Sequence, residues 1–530
     1  MLSLAILSPF IGSIVIALIP RKISRAESAP KTLFIVALLF SLLSLVATLL
    51  AVQGYDNNNP LYQLREIWFQ DVVSGAVWSF ALDGISLGLF VLTAVLFPLG
   101  IISSELSHAH QRAEGKEPDR IKLFWISLLF LETTVLGVFA AENLIVYYVF
   151  WEVMLLPMVL LIGIWGGADR KPATIKFFLY TFAGSVFLLL GIVIAAFAGE
   201  FPITQLQIGG ALEKNIRSLD PAMQKAIFWA FIISFLIKIP AFPVHTWLPH
   251  AHTQAPTVGS IILAGVLLKM GTYSLYRFSL SLFPDLSMQY QDLFLAVGVI
   301  GILYGAWLAW AQTDIKRLVA YSSVSHMGYI LIGAFSGTDA GLNGGYMQMI
   351  NHGLSTGLLF LLVGMIYDRT HTRELKDYGG LAQLSPAFAI LFMIATLSSV
   401  GLPGTNGFVG EFLILLGTFT VSKFWGILAI SGVIFGAVYM LHAYKEVFFG
   451  EVSDKLKEVS SRVSLKLNKA EILVAMPFVI FIFWLGVKPE LVLDSGKASI
   501  QLMQAELAEA KERVTSNSID IKVSNTEVGK

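Results

Sequence analysis

Cysteine is missing from all 530 residues, so the chain forms no disulfide, holds no iron–sulfur cluster through thiolates and does no thiol chemistry. Charge is scarce as well, at 14% of residues, and the 36 acidic and 36 basic side chains cancel. No basic surface is left over for nucleic acid. The first apolar run also lacks a basic segment before it. Arg21, Lys22 and Arg25 come after it, the reverse of a secretory signal, so it is expected to stay in the mature chain as a helix.

What fills the chain instead is hydrocarbon. Hydrophobic residues make up 56% of it and the mean hydropathy is +0.73, which excludes an ordinary soluble domain and predicts an all-α polytopic membrane protein. Runs of about 20 apolar residues, enough to cross a bilayer, fall near 2–20, 32–53, 82–105, 121–140, 144–165, 174–198, 225–252, 256–280, 290–311, 316–336, 343–368, 386–420, 424–448 and 469–488. That predicts fourteen spans. The loops after spans 1, 3, 5, 9, 11 and 13 hold 22 of the 36 Lys and Arg residues, while those after spans 2, 6, 8 and 12 hold 6. Positive residues collect on the cytoplasmic side, so both termini are expected on the non-cytoplasmic side, with a bacterial inner membrane as the expected location.

Two spans are interrupted. In FLIKIPAFPVHTWLPHAHTQAPTVGSIILAGVLLKMG, residues 235–271, Pro240 and Pro243 have no N–H to donate, which predicts unpartnered carbonyls at Leu236 and Ile239. In SSVGLPGTNGFVGEFLIL, residues 398–415, Pro403 frees the Ser399 carbonyl and four glycines loosen the helix around it. Broken backbone inside a bilayer is tolerated only where it is buried in protein or lines water. Interruptions at matching places in two halves point to inverted repeats around a midplane site. The expected organisation is therefore 1–120 for spans 1–3, 121–281 for a first five-span repeat, 282–450 for a second, 451–488 for a loop and span 14, and 489–530 for a polar tail. Within the tail, 497–514 reads as a surface helix with Ile500, Met503 and Leu507 on one face and a Glu509–Arg513 pair.

The breaks sit beside charge. Lys238 and Lys269 lie inside runs that otherwise read as buried helix, and a charged residue at the bilayer centre costs about 2.5–3.5 kcal/mol on insertion scales. Glu132, Glu152, His326, His352 and Glu411 also fall within spans. A series of titratable groups across both halves reads as a proton relay more than as a binding pocket. Glu152 and Lys238 suggest how it is driven: at roughly 6 Å and an effective dielectric of about 20 their attraction is on the order of 3 kcal/mol. Moving the carboxylate away would make the ammonium release its proton, which Lys269, the histidines and Glu411 could pass on.

Blander readings compete. A lysine near a span end can snorkel to the interface, either histidine can be a satisfied core residue, and Glu132 can be a structural acceptor. Asp83, Glu105, Glu142 and Asp314 lie near span ends and read as interfacial, and Trp68 and Trp165 as aromatic belt. His245, His250 and His252 sit close together but have no carboxylate at ligand spacing, so no metal site is expected.

The two quoted stretches, together with TDIKRLVAYSSVSHMGYI at 313–330, resemble the antiporter-like proton-channel subunits of respiratory complex I from about residue 80 to 450. Glu411 resembles the M-type (subunit 4) branch, because the L-type branch and the large antiporter subunits typically carry lysine there. His250 departs from the family, which often has aspartate after WLP. The resemblance implies fourteen helices in two inverted five-helix repeats and proton translocation coupled to quinone reduction elsewhere. By motif it makes Glu152 and Lys238 the carboxylate–lysine pair, Lys269 the central lysine, His326 and His352 the second-half relay, Glu411 the exit-side group and Glu132 a secondary carboxylate. It implies no cofactor on this chain, with FMN, iron–sulfur clusters and quinone in partner subunits, and neighbouring antiporter-like subunits beside it in the lipid. A sodium/proton antiporter subunit and a membrane-bound hydrogenase subunit are the alternatives.

Overall fold

Each long apolar run folds as a helix because in hydrocarbon a helix satisfies its own backbone hydrogen bonds. The computed structural model describes residues 1–20, 29–70, 77–115, 120–198 and 210–528. Arg21, Lys22 and Arg25 lie outside them. In chain order the elements are α1 (Leu2–Leu18), α2 (Ala29–Val52), β1 (Gln63–Gln70), β2 (Val77–Leu82), α3 (Gly84–Ala113), α4 (Ile121–Ala140), α5 (Leu144–Val153), α6 (Leu155–Trp165), α7 (Arg170–Ala198), α8 (Ala211–Arg217), α9 (Pro221–Lys238), α10 (Trp247–Gln254) and α11 (Thr257–Ile262). A π-helical turn (Leu263–Leu267), α12 (Leu268–Ser274) and a second π turn (Leu275–Leu280) continue α11. Then come α13 (Pro284–Gln289), α14 (Gln291–Trp310), α15 (Ile315–Ser336), α16 (Asp339–Thr370), α17 (Leu381–Leu384), α18 (Pro386–Val400), α19 (Asn406–Val421), α20 (Lys423–Phe448), α21 (Asp454–Ser460), α22 (Lys469–Val487) and α23 (Glu490–Val528).

Twelve helical stretches among the described residues are long and apolar enough to cross a membrane. Adding α1, and counting α18 with α19 as one broken crossing, gives fourteen. The burial pattern separates lining from core: the most apolar 18-residue stretches within 257–280 and 339–370 are wholly buried in the protein, whereas α20 turns most of its surface outward. α16 packs along both α15 and α19, and the two π turns pack against α16, α15 and α9. The buried centre of the fold is therefore the meeting of the helices that carry Lys269, His326, His352 and Glu411.

Four local features depart from the sequence reading. A short antiparallel hairpin, β1–β2, pairs Gln63 with Leu82 and Gln70 with Val77. Its aromatics interlock: Trp68 lies 4.3 Å from Phe80, and its indole donates to Ser3 Oγ at 2.6 Å, so this residue anchors the hairpin to α1. The Leu236 carbonyl is not orphaned at the first break, because the N–H of Ala241 reaches back to it at 2.9 Å. The tail helix is longer than expected, running Glu490–Val528. Ile500, Met503 and Leu507 are buried, the Glu509–Arg513 pair forms at 3.7 Å, and the helix lies against α3, α13 and α16.

The fourth departure is the largest in energy. Asp83 is not interfacial, because it meets Arg277 inside the protein. Both are buried, with Arg277 Nη2 2.5 Å from Asp83 Oδ2 and its guanidinium over the rings of Tyr62 and Tyr273. Asp83 also caps α3 through the N–H of Ser86. The pair ties the hairpin, α3 and the second π turn together. Removing one partner strands a buried charge, at a cost of about 3–5 kcal/mol. Arg277→Met alone should therefore lower the thermal stability of the protein and its recovery in the membrane. Arg277→Met with Asp83→Leu should restore much of the loss, as read by melting of the purified protein.

Candidate functional site

Helix interruptions set the charged side chains in place. α5 ends at Val153 and α6 starts at Leu155; Pro157 has no N–H to return to the Val153 carbonyl. Glu152 sits just before that kink. α9 ends on Lys238, two residues before Pro240. Lys269 falls in α12, between two π turns, a wide local geometry that recurs at functional sites.

Lys238 is only 4% exposed, which rules out snorkelling to solvent. Its Nζ lies 3.8 Å from Met154 Sδ and 5.0 Å from the centre of the Trp151 ring. Those residues flank Glu152, whose Oε1 accepts the Tyr148 hydroxyl at 3.0 Å. The Glu152 charge acts on the amine through space, without an ion pair inside 4 Å among the described residues. The pair anticipated from the sequence is an electrostatic neighbourhood, and the amine's near contacts are a thioether and an indole.

The first lysine leads to the second by close packing. A Cβ on Gly271 would stand 2.9 Å from the Ile239 nitrogen and 3.2 Å from Lys238 Cβ, so only glycine lets α12 lie on the end of α9. Lys269 itself is fully buried. Its amine donates to the Ala264 carbonyl inside the first π turn and lies 2.6 Å from His352 Nδ1. At that distance one proton serves both nitrogens, resting on whichever binds it more strongly.

The row continues across α16, α15 and α19. The rings of His352 and His326 are 5.5 Å apart, centre to centre. His326 Nδ1 lies 3.0 Å from Glu411 Oε1, and its Nε2 lies 3.1 Å from Ser399 Oγ. Gln348 Nε2 donates to the same Glu411 oxygen at 3.0 Å. Between the two histidines is a small cavity lined also by Gln348, Asn351 and Ser399, with about 10 Å³ open to the centre of a water-sized sphere. That is room for about one water. His352 Nε2, Gln348 Oε1 and Asn351 Oδ1 have no protein partner there.

The second break is stapled by side chains. Gly401 turns the chain at φ +79° after α18. Ser398 Oγ donates to Asn406 Oδ1 at 2.6 Å, Ser355 and Ser398 hydroxyls meet at 2.6 Å, and Asn351 Nδ2 donates to the Asn406 carbonyl at 2.6 Å. A Cβ on Gly407 would fall 1.9 Å from the Ser398 carbonyl, so the two half-helices touch there backbone to backbone. The sequence reading missed Gln348, Asn351, Ser398, Ser399 and Asn406. The signal was present: Gln348, Asn351, His352 and Ser355 share one face of an apolar span.

Six of the seven sequence-predicted residues form two groups: Glu152 lies near Lys238, and Lys269, His352, His326 and Glu411 form one row with Lys238 packed beside its start. Glu132 stands apart. It is fully buried on α4, where its Oε1 accepts the Ser41 hydroxyl of α2 at 3.0 Å. The three neighbouring histidines diverge: His245 packs on Phe242 and Tyr304, His250 is exposed, and His252 stacks flat on Phe360.

Residues 141–438 match the transmembrane family described as NADH:quinone oxidoreductase/Mrp antiporter. The chain is 41% identical over 505 residues to NADH-quinone oxidoreductase subunit M of Rickettsia conorii, a match covering 94% of this chain and 98% of that one. The chain belongs to the NADH:quinone oxidoreductase/Mrp antiporter family. Among solved structures it is similar to a chain of respiratory complex I from Thermus thermophilus with bound NADH, at a TM-score of 0.81 and 32% identity, covering 96% of this chain and 100% of that one. A chain of the Mrp complex from Dietzia sp. DQ12-45-1b shares the fold, with a TM-score of 0.79 at 21% identity over 96% and 99% of the two chains. The family match spans Glu152, Lys238, Lys269, His326, His352 and Glu411, and begins after Glu132.

Replacing Asn406 with Ala should loosen the second break, because the Ser355 and Ser398 hydroxyls lose their acceptor and each unpartnered buried group costs about 1–3 kcal/mol. Increased proteolysis or deuterium uptake across 398–407, with α20 unchanged, is the expected observation.

Proposed function

We propose that the chain is an M-type proton-translocating membrane subunit of an NADH-quinone oxidoreductase. The redox reaction, with FMN, iron–sulfur clusters and quinone, belongs to partner subunits, and this chain supplies a proton path. The observation that carries the reading is the row Lys269–His352–His326–Glu411, in which three groups on three helices follow a buried lysine, two of the contacts being direct at 2.6 and 3.0 Å. A charge change arriving at Glu152 alters the field on Lys238, and that amine stands where it can influence the Lys269 end of the row. The His352-to-His326 step is bridged by one water in the cavity between them. Glu411 accepts at the far end, held by His326 and Gln348 until the proton leaves.

Both repeats contribute: 121–281 supplies Glu152, Lys238 and Lys269, and 282–450 supplies His326, His352 and Glu411, with the breaks at 239–246 and 401–405 as counterparts. Glu132 belongs to the secondary role, steadying α2 against α4. Loop charge sets the orientation, with both termini on the non-cytoplasmic side of a bacterial inner membrane, and the subunit sits between neighbouring antiporter-like subunits.

In the assembled complex in sealed vesicles, Lys238→Ala and Lys269→Ala should each cut NADH-driven proton uptake by about tenfold or more, corresponding to at least ~1.4 kcal/mol on the limiting step. Glu132→Gln should keep most of it. Full pumping by the Lys269→Ala complex, with the subunit confirmed in place, would refute the role assigned to the row. His326→Ala should resemble Lys269→Ala, while His326→Gln, which can keep a hydrogen bond to Glu411 but carries no proton at this site, should assemble normally and still pump poorly.

A further inference from the structure

A cleft opens on the face where α3, α6 and α16 end and α15 begins. Two cavities of about 240 and 200 Å³ share Ser107, Gln111, Trp165, Gly166, Pro256 and Thr257, and so form one continuous space. A third, smaller cavity extends it past Ser107 and Asp368 towards His110 and Glu471. Hydroxyls, amides and charges line much of it, which suits water and does not suit a lipid tail.

Lys316 lies on the wall of this cleft, yet it is only 7% exposed. Its amine donates to the Ala255 carbonyl at 2.6 Å, just beyond the end of α10. The charges acting on it are Arg373, Asp314 and Asp368. Asp314 is already engaged, 3.3 Å from Arg373 Nε and accepting the N–H groups of Lys316 and Arg317. No carboxylate lies within 4 Å of the Lys316 amine among the described residues. A lysine held by one carbonyl at the edge of water is free to exchange its proton.

On α10 itself, His252 is wholly buried and stacked on Phe360 of α16 with ring centres 4.6 Å apart. Neither of its ring nitrogens has a protein partner. His252 lies three residues before Ala255, whose carbonyl holds the Lys316 amine, and its own carbonyl accepts the Ser260 hydroxyl of α11 at 3.0 Å, the helix that runs on to Lys269.

We propose that this cleft is an aqueous vestibule and that Lys316, through His252, feeds protons from it to Lys269. The inference rests on the relay reading above and adds its supply end. In each transfer a proton moves from a cation to a neutral acceptor. Hydronium in the cleft protonates the neutral Lys316 amine and is left as water, the ammonium gives a proton to one nitrogen of His252, and the other nitrogen releases one to the neutral Lys269 amine. Lys316 and His252 end neutral, ready for the next proton, and nothing is oxidised or reduced.

The absence of cysteine makes the test direct, because any thiol in this subunit is an introduced one. Ser107→Cys, Gln111→Cys and Thr257→Cys, made singly in the full complex in sealed vesicles of either orientation, should react with a membrane-impermeant maleimide from the side of the Lys-rich loops. Leu179→Cys, on an outward apolar surface of α7, should not. Modification is read by mass spectrometry of the subunit. Lys316→Gln should lower proton pumping by about tenfold. Lys316→Arg should fail as well, because arginine keeps the charge and the carbonyl contact but does not release its proton; a lysine that served only as an anchor would be rescued by arginine. No labelling at Thr257→Cys from either side, with Lys238→Ala still blocking pumping, would overturn the vestibule and leave the relay intact. Full pumping by Lys316→Arg would overturn the part given to Lys316. Full pumping by Lys238→Ala would bring down the relay and this inference together.

Discussion

An ionisable group inside hydrocarbon has to be met by protein, and the way each one is met divides this molecule into a frame of locked ion pairs and a set of groups with neutral or hydrogen-bonding partners. Where the group faces an opposite charge in a tight pair, it is locked. Arg277 with Asp83 at 2.5 Å and Arg369 with both oxygens of Glu471 at 2.8 and 2.7 Å are of this kind. Guanidinium does not give up its proton, so such pairs stay charged and fix helices in place. Where the group faces a neutral or sharing partner, the proton is free to move. Lys269 against His352 Nδ1, and His326 against Glu411, are of this second kind. The chemistry of the partner, rather than depth of burial, separates the two.

The broken backbone serves the second class. A continuous helix would spend its carbonyls on its own N–H groups and present only side chains to its neighbours. At the π turn before α12 the Ala264 carbonyl is instead taken by the Lys269 amine, and after α10 the Ala255 carbonyl is taken by Lys316. At the second break the chain turns at Gly401, and hydroxyl and amide groups from α16 and α18 close around Asn406. Interruptions that cost helical hydrogen bonds thus supply acceptors and turning space that a continuous helix would not.

The family match covers Glu152, Lys238, Lys269, His326, His352 and Glu411, and Glu132 falls before it, where it accepts a hydrogen bond from Ser41. The tail helix also belongs to the frame. Its apolar face is buried against α3, α13 and α16, and Arg513 reaches Asp285 at 2.9 Å.

The number and positions of the spans were legible in the sequence, because a bilayer demands long apolar runs and composition records them directly. The two proline breaks and the charged residues beside them were legible for the same reason: both are costly in hydrocarbon and stand out against it. What needed the tertiary structure was partnership. Glu411 and His326 are 85 positions apart, Asp83 and Arg277 are 194 apart, and Lys269 and His352 are 83 apart, and no local pattern says which of these pairs will meet. The sequence reading accordingly left Asp83 at the interface and overlooked Asn406 and Gln348. Hydropathy is a property of each residue alone, so the chain by itself determined what enters the membrane; a contact depends on how helices pack, so only the folded molecule decided which groups share a proton and which are locked as ions.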